Sequence, residues 1–87
     1  MTSLADVTDQ LRQILTELTG DRKVLAVPAG TALLRDGIGL DSLGGTILLM
    51  QVRSRFGVDV ADEDLNLDSL ATLGTLAAFV AARATGR

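Results

Sequence analysis

The sequence predicts an all-α fold, a small four-helix bundle of three main helices and one short helix with a long first loop. The chain has sixteen leucines and many alanines but only two aromatic residues, a mix that suits helix packing better than a β-sandwich. Apolar residues also recur at helical spacing in three segments. With 87 residues, 47% of them hydrophobic, we expect one domain over residues 1–87.

The first helix is predicted from about residue 3 to 19. Ser3 or Thr2 can cap its start, and Gly20 stands where a glycine commonly ends a helix. The connection over residues 20–41 carries the sole proline and four glycines. Long ordered loops in small domains are often functional. Within this loop we expect residues 31–35 to form a short helical turn.

Three further helices complete the prediction. The second runs from about Ser42 to Phe56 and ends at Gly57, and a short third helix lies near residues 62–67. Thr72 is the expected N-cap of the last helix. The predicted core stripe of the second helix is Leu49, Val52 and Phe56. The predicted buried face of the last helix is Leu73, Leu76, Ala77, Val80 and Ala84.

Charge and residue inventory exclude several classes of function. The net charge is −3 and no basic face is apparent, so we expect no binding to nucleic acid. Without cysteine or histidine the chain cannot form a Ser-His or Cys-His pair, or a thiolate or imidazole metal site. The start of the chain lacks the features of a secretion signal, and no apolar run is long enough for a membrane span. We expect a soluble, cytoplasmic monomer without a metal.

Acidic residues are concentrated in one part of the chain that holds no base. Two interpretations remain open, namely a solvated loop and helix start, or a docking surface for a basic partner. The residues are Asp59, Asp62, Glu63, Asp64 and Asp68.

Ser42 stands where the long loop meets the second helix, in the run Gly-Leu-Asp-Ser-Leu over residues 39–43. One interpretation is a helix cap, a role that Asp41 can equally fill. The other is a functional serine. Gly44 and Gly45 follow it in the first helical turn, each costing about 1 kcal/mol relative to alanine. Such a cost favours a steric requirement, such as close approach by a partner or attached cargo. The alternative is that a fraying first turn tolerates glycine.

Four consecutive apolar residues, 47–50, lie along the second helix and cannot all face the core, since a helix turns by about 100° per residue. Leu43, Ile47 and Met50 share one face and are expected to form an exposed stripe below Ser42, which favours docking. Alternatively, the third helix or the first loop covers this stripe. A second Asp-Ser-Leu triplet, at residues 68–70, lacks these features and is expected to be a structural joint.

The run at residues 39–43, followed by a helix ending in Arg-Phe-Gly-Val-Asp-Val at 55–60, resembles the acyl carrier protein family. Residues 72–80 resemble the last helix of that family. The resemblance implies that Ser42 carries a 4′-phosphopantetheine arm, added from coenzyme A by a phosphopantetheinyl transferase. The arm's thiol would hold acyl or aminoacyl groups as thioesters, so the protein would be a carrier and not an enzyme. Asp41 and Leu43 would belong to the attachment site, with Asp41 helping the transferase recognise it.

The second helix departs from carriers of fatty acid synthesis, which usually place acidic residues there. Its corresponding face is apolar and basic, and resembles carriers of polyketide or nonribosomal peptide pathways. The candidate docking residues are Leu43, Ile47, Met50 and Arg53.

We therefore expect a discrete, type II carrier of secondary metabolism, such as antibiotic biosynthesis, although a domain excised from a larger synthase would look the same. The expected partners are a loading enzyme (an acyltransferase or adenylation enzyme) and ketosynthase- or condensation-type enzymes. The cargo stays open. The alternative is a helical protein-interaction module in which Ser42 is only a helix cap.

Overall fold

The computed structural model describes residues 3–34 and 37–85 and confirms the all-α prediction. Within those two ranges there are no strands, and the only β pairing is an isolated bridge. The α-helices are α1 (Leu4–Thr19), α2 (Ser42–Phe56), α3 (Val60–Glu63) and α4 (Leu73–Thr85). Two 3₁₀ helices, Arg22–Ala26 and Asp68–Leu70, lie in the connections.

Helix α1 begins and ends at the residues predicted from its caps. The Ser3 hydroxyl accepts a hydrogen bond from the Asp6 N–H at 3.1 Å. At the other end Gly20 adopts the left-handed conformation, with φ 70°, and its N–H donates to the Thr16 carbonyl at 2.9 Å. Its inward face consists of Val7, Leu11, Ile14 and Leu15, all buried.

Helix α2 has the predicted bounds, but its buried face differs from the predicted stripe. Leu48 and Val52 are fully buried, whereas Leu49 and Phe56 are only half-buried. The prediction omitted Leu48 because a run of four apolar residues fits either phase of the helical repeat. Packing against α1 and α4 selects Leu48, one turn before Val52.

The long first loop does not form the predicted helical turn over residues 31–35. Residues 31–34 are not helical, and Arg35 lies outside the described residues. Instead the Leu33 N–H donates to the Ala71 carbonyl at 3.4 Å, and the Leu73 N–H donates to the Thr31 carbonyl at 3.0 Å. This loop therefore runs extended beside the start of α4, since pairing with that segment satisfies backbone groups that a helix would otherwise satisfy internally.

An earlier part of the same loop is held by an arginine of α1. The Arg12 Nε and Nη2 atoms donate to the Val27 carbonyl at 3.1 and 3.0 Å. The first 3₁₀ helix, which the sequence reading missed, precedes this contact, and the Asp21 carboxylate caps it through the Lys23 N–H at 2.9 Å.

The short third helix lies earlier than predicted. It begins after Asp59, whose carboxylate caps it by accepting from the Asp62 N–H at 3.1 Å, and it ends at Glu63 instead of extending to residue 67. Leu67 has a positive φ of 54° and turns the chain into the second 3₁₀ helix. The helix has already ended at Asp64, whose backbone is not helical, with φ −124° and ψ 83°, and Leu67 could not resume a right-handed helix.

Helix α4 starts as predicted. The Thr75 N–H donates to the Thr72 hydroxyl at 3.0 Å, so Thr72 has the capping role. Its inward residues Leu73, Leu76, Ala77 and Val80 are fully buried, and Ala84 is half-buried. The core lies between α1, α2 and α4, and burial of each such leucine contributes about 1.5–3 kcal/mol relative to exposure. No helix within the described ranges is long and apolar enough to cross a bilayer.

Candidate functional site

The last part of the first loop folds back on itself before it enters α2. The Ile38 N–H donates to the Ala32 carbonyl at 2.8 Å, and the Leu40 N–H donates to the Leu33 carbonyl at 3.0 Å. Between them Gly39 has a φ of 81°, a conformation that glycine adopts readily. This arrangement buries Leu40 and fixes the direction from which the chain reaches Asp41.

Asp41, and not Ser42, caps α2. The Asp41 Oδ1 atom accepts a hydrogen bond from the Gly44 N–H at 2.7 Å. Ser42 is therefore the first helical residue. Its side chain is exposed, and its hydroxyl makes no hydrogen bond to the part of the chain that the structure describes. The interpretation of Ser42 as a cap is wrong, because the neighbouring carboxylate already holds the amide that a cap would bind.

The two glycines that follow have different surroundings. A Cβ atom on Gly44 would lie 3.2 Å from the Asp41 Oδ1 atom and 3.2 Å from the Leu40 Cδ2 atom. A Cβ atom on Gly45 would meet nothing within 4 Å. Gly44 thus makes room for the cap inside the protein, whereas the space beside Gly45 is open to a molecule from outside.

That space belongs to a groove of about 670 Å³ beside Ser42. The groove is bounded by the first loop, the first two turns of α2 and the connection between α3 and α4. Its walls are mainly leucines from all three segments, Leu34, Leu40, Leu49, Leu67 and Leu70, while Ser42 and Gly45 lie along α2. Its volume is in the range of small-molecule sites.

The sequence did not indicate that these leucines line a groove beside Ser42. Leu67 and Leu34 are exposed by 38% and 43%. Their separation along the chain from Ser42 hides the groove from any local pattern. The positive φ of Leu67 is equally invisible to a sequence motif.

The second Asp-Ser-Leu triplet is built into the fold, as its position predicted. Ser69 is buried, its N–H donates to the Asp64 Oδ2 atom at 2.8 Å, and its carbonyl accepts from the Thr75 hydroxyl at 2.8 Å. A modifying enzyme could not reach this serine without opening the joint before α4.

A comparison with known protein families identifies the family of the chain. The family model for a phosphopantetheine attachment site matches residues 9–80, from the second turn of α1 into α4. The chain belongs to the phosphopantetheine-attachment family. Members of this family carry covalent 4′-phosphopantetheine, so that group is the cofactor. No solved structure gave a significant match to the chain.

In this member of the phosphopantetheine-attachment family, the predicted apolar stripe on α2 is exposed at both ends and partly covered at its centre. Leu43 is 68% exposed and Met50 is 64% exposed, while Ile47 between them is half-buried. Arg53, the remaining candidate docking residue, is also exposed and lies one turn further along the helix.

The acidic segment after α2 serves the fold at three positions. Asp59 caps α3, Glu63 pairs with the Arg83 Nε atom at 3.5 Å, and Asp64 holds the Ser69 N–H. The hydrogen bond from the Ser69 N–H lowers the pKa of Asp64 below its ordinary value of 3.8. These contacts support the structural interpretation of the segment over a docking surface for a basic partner.

Proposed function

We propose that the protein is a carrier in which Ser42 is the serine that holds the 4′-phosphopantetheine arm. The observation that carries this proposal is the exposed Ser42 hydroxyl, left without a hydrogen bond to the described residues because Asp41 caps the helix. Ser69, the other serine in the same triplet, is buried. The arm supplies a thiol, which this chain lacks, for holding cargo as a thioester.

The start of α2 suits the phosphate of that arm. The first amides of a helix have no carbonyl partner within the helix, and the helix dipole favours an anion there. Asp41 occupies the Gly44 amide, so the amides of Ser42 and Leu43 would be left for the phosphate. The observed role of Asp41 at this site is to cap the helix. We keep recognition by the transferase as its second proposed role.

An intact-mass experiment tests the attachment site. The wild-type protein, Ser42→Ala and Ser69→Ala are each incubated with coenzyme A and a broad-specificity phosphopantetheinyl transferase. We expect the wild type and Ser69→Ala to gain one phosphopantetheine and Ser42→Ala to gain none. No gain in the wild type contradicts the carrier function, and loss of the gain only in Ser69→Ala would mean that the other triplet is the site.

We also propose a finer assignment, to a polyketide or nonribosomal peptide pathway. Residues 1–87 would act as one carrier domain without catalysis of its own, and the location in the cytoplasm stays a prediction. The apolar and basic character of α2 supports this assignment, because the face that would meet other enzymes has no acidic residue. Its partners would be the transferase, an acyltransferase or adenylation enzyme that loads the arm, and ketosynthase- or condensation-type enzymes.

The proposed docking residues on α2 are Leu43, Ile47, Met50 and Arg53. Met50→Glu places a charge in the middle of this surface without touching the core, since Met50 is 64% exposed. We expect slower loading or transfer with unchanged helical content by circular dichroism. Loss of helical content would show that the residue is needed for folding, and unchanged transfer would remove it from the docking surface.

A helical interaction module is the second candidate function, and the exposed stripe on α2 favours it independently of any cofactor. The intact-mass experiment separates the two functions. A module that only binds a partner helix would gain no mass with coenzyme A and transferase.

A further inference from the structure

We propose that the enzymes that dock on α2 present an apolar socket flanked by carboxylates. This inference rests on the proposed function, because it specifies the partner of the same carrier. Its three supports are the geometry of the exposed row on α2, the charges beside that row and the absence of internal partners for those charges among the described residues.

The exposed row runs nearly the full length of α2, with Ile47 half-buried between the exposed Leu43 and Met50. Leu43, Ile47 and Met50 follow each other at i, i+4 and i+7, and Ser54 continues the row by one further turn. At about 100° per residue, Met50 lies about 200° around the helix from the buried Val52. The row therefore points away from the core and extends for about 16 Å at 1.5 Å per residue.

Both charged side chains of α2 are arginines, and the helix has no acidic residue. Arg53 and Arg55 precede and follow Ser54, so they lie about 100° to either side of the row. The row thus has a cation on each side of its polar end, about one turn beyond the last apolar residue, Met50. This local charge is opposite in sign to the net charge of the chain, which is −3.

Neither of these arginines has an ion pair with any carboxylate in residues 3–34 and 37–85. Elsewhere Arg12 pairs with the Asp9 Oδ1 atom at 3.0 Å, and Arg83 pairs with the Glu63 Oε1 atom at 3.5 Å. The chain therefore satisfies the arginines of α1 and α4 internally and leaves those of α2 exposed. An interface with an apolar centre and a charged rim is complementary to a surface of the same layout with the opposite sign.

The arginines also have a structural explanation, which the experiment must distinguish from a role in docking. Cations in the last turn of a helix interact favourably with its dipole, so Arg53 and Arg55 stabilise α2 in the free protein. The dipole explains their sign and their place along the helix. It does not explain why they stand on either side of an exposed apolar row.

The test uses two helix-favouring synthetic peptides as probes. Both carry the same leucine stripe, and they differ only in having glutamate or lysine at every flanking position. Each is titrated into the ¹⁵N-labelled full-length chain before any phosphopantetheine is attached, and amide shifts are followed by NMR. Modification of Ser42 is not involved, so failure here is distinguishable from failure of the carrier function.

We expect the glutamate peptide to shift the amides of residues 43–55 and to bind roughly five-fold more tightly than the lysine peptide, as two exposed ion pairs allow. The preference should reverse in the double variant Arg53→Glu/Arg55→Glu. It should persist in the matched control Arg22→Glu/Lys23→Glu, which changes the charge equally on the first 3₁₀ helix. Thermal unfolding of each variant separates loss of binding from loss of α2.

Three outcomes overturn the inference. Equal binding of both peptides would mean that the row is recognised without regard to charge. Preference for the lysine peptide would indicate partners with a basic surface, which would bind the acidic segment over residues 59–68 and not the row on α2. No binding of the glutamate peptide at about 1 mM would mean that the row is not a docking surface for such partners.

Discussion

Replacing Asp41 with alanine should destabilise the protein through the start of α2. The Asp41 carboxylate accepts the Gly44 N–H at 2.7 Å, a short bond to one of the amides that the helix itself cannot satisfy. Alanine removes that acceptor. The first turn then has to form without a cap in a segment that contains Gly44 and Gly45. Glycine is the residue type least favourable to a helix apart from proline.

The size of the effect follows from the two contributions that the carboxylate makes. Loss of a capping side chain costs about 1 kcal/mol, and loss of a negative charge beside the helix dipole costs about 0.3–1 kcal/mol. We therefore expect Asp41→Ala to lose about 1–2 kcal/mol of unfolding free energy. For a domain of this size each kcal/mol corresponds to about 4–8 °C in Tm.

Asp41→Asn separates the two contributions, because asparagine keeps an oxygen that can cap but carries no charge. It should lose clearly less stability than Asp41→Ala. With Ser42 as the proposed attachment site, the transferase reaction should follow the same order, since an ordered first turn holds the Ser42 hydroxyl in place. Urea unfolding gives the free energies, and kcat/KM for phosphopantetheine transfer gives the second ranking.

Asp59→Ala is the matched control, since Asp59 caps α3 through a similar bond of 3.1 Å. It should cost stability without changing transfer at Ser42. The reasoning is refuted if Asp41→Ala leaves stability unchanged, or if Asp41→Asn is as unstable as Asp41→Ala. If Asp41→Asn keeps its stability but loses transfer, the charge itself is what the transferase recognises.

Three further predictions follow from the described contacts. Gly45→Ala should raise the free energy of unfolding by up to about 1 kcal/mol in urea. Gly44→Ala should raise it by less or lower it, because the added Cβ atom would crowd the capping carboxylate. Equal effects of the two substitutions would contradict the difference in their surroundings. The lowered pKa of Asp64 favours the charged form in the folded state, so its contribution is present above pH 3.8 and is lost as the pH falls through the lowered pKa. Asp64→Asn should weaken that acid dependence in unfolding measured against pH, and an unchanged profile would argue against it. Leu48→Ala should cost about 2–5 kcal/mol while Leu43→Ala stays within about 0.5 kcal/mol, and comparable losses would mean that the face assignment of α2 is wrong.

Local signals accounted for the main helices. Ser3, Gly20, Gly57 and Thr72 each perform the capping or terminating role that their residue type favours, so the bounds of α1, α2 and the start of α4 could be predicted. Ser42 was also placed correctly, at the first position of α2. In each case the determining hydrogen bond joins residues three or four positions apart, and such contacts are accessible to sequence patterns.

Contacts between distant segments were not predictable in this way. The extended pairing of residues 31–33 with residues 71–73 replaced an expected helical turn, because its hydrogen-bond partners lie in another part of the chain. The groove beside Ser42 likewise combines leucines from three segments. Which face of α2 is buried depended on packing. The periodicity of the sequence allowed Leu49 to face the core, but Leu48 is the buried residue.

The pairing of the first loop with the start of α4 also has a consequence for folding order. The bridge between Ala32 and Thr72 joins the first half of the chain to its last third, so the loop cannot reach its final shape until that late segment is available. Pairing between segments distant in the chain forms more slowly than local contacts, because the loop-closure entropy is lost before those contacts stabilise the fold. We therefore expect the part of the first loop that leads to Ser42 to reach its final shape late in folding. Transfer of phosphopantetheine would then occur only on completely folded chains, and nascent or truncated chains would not be modified.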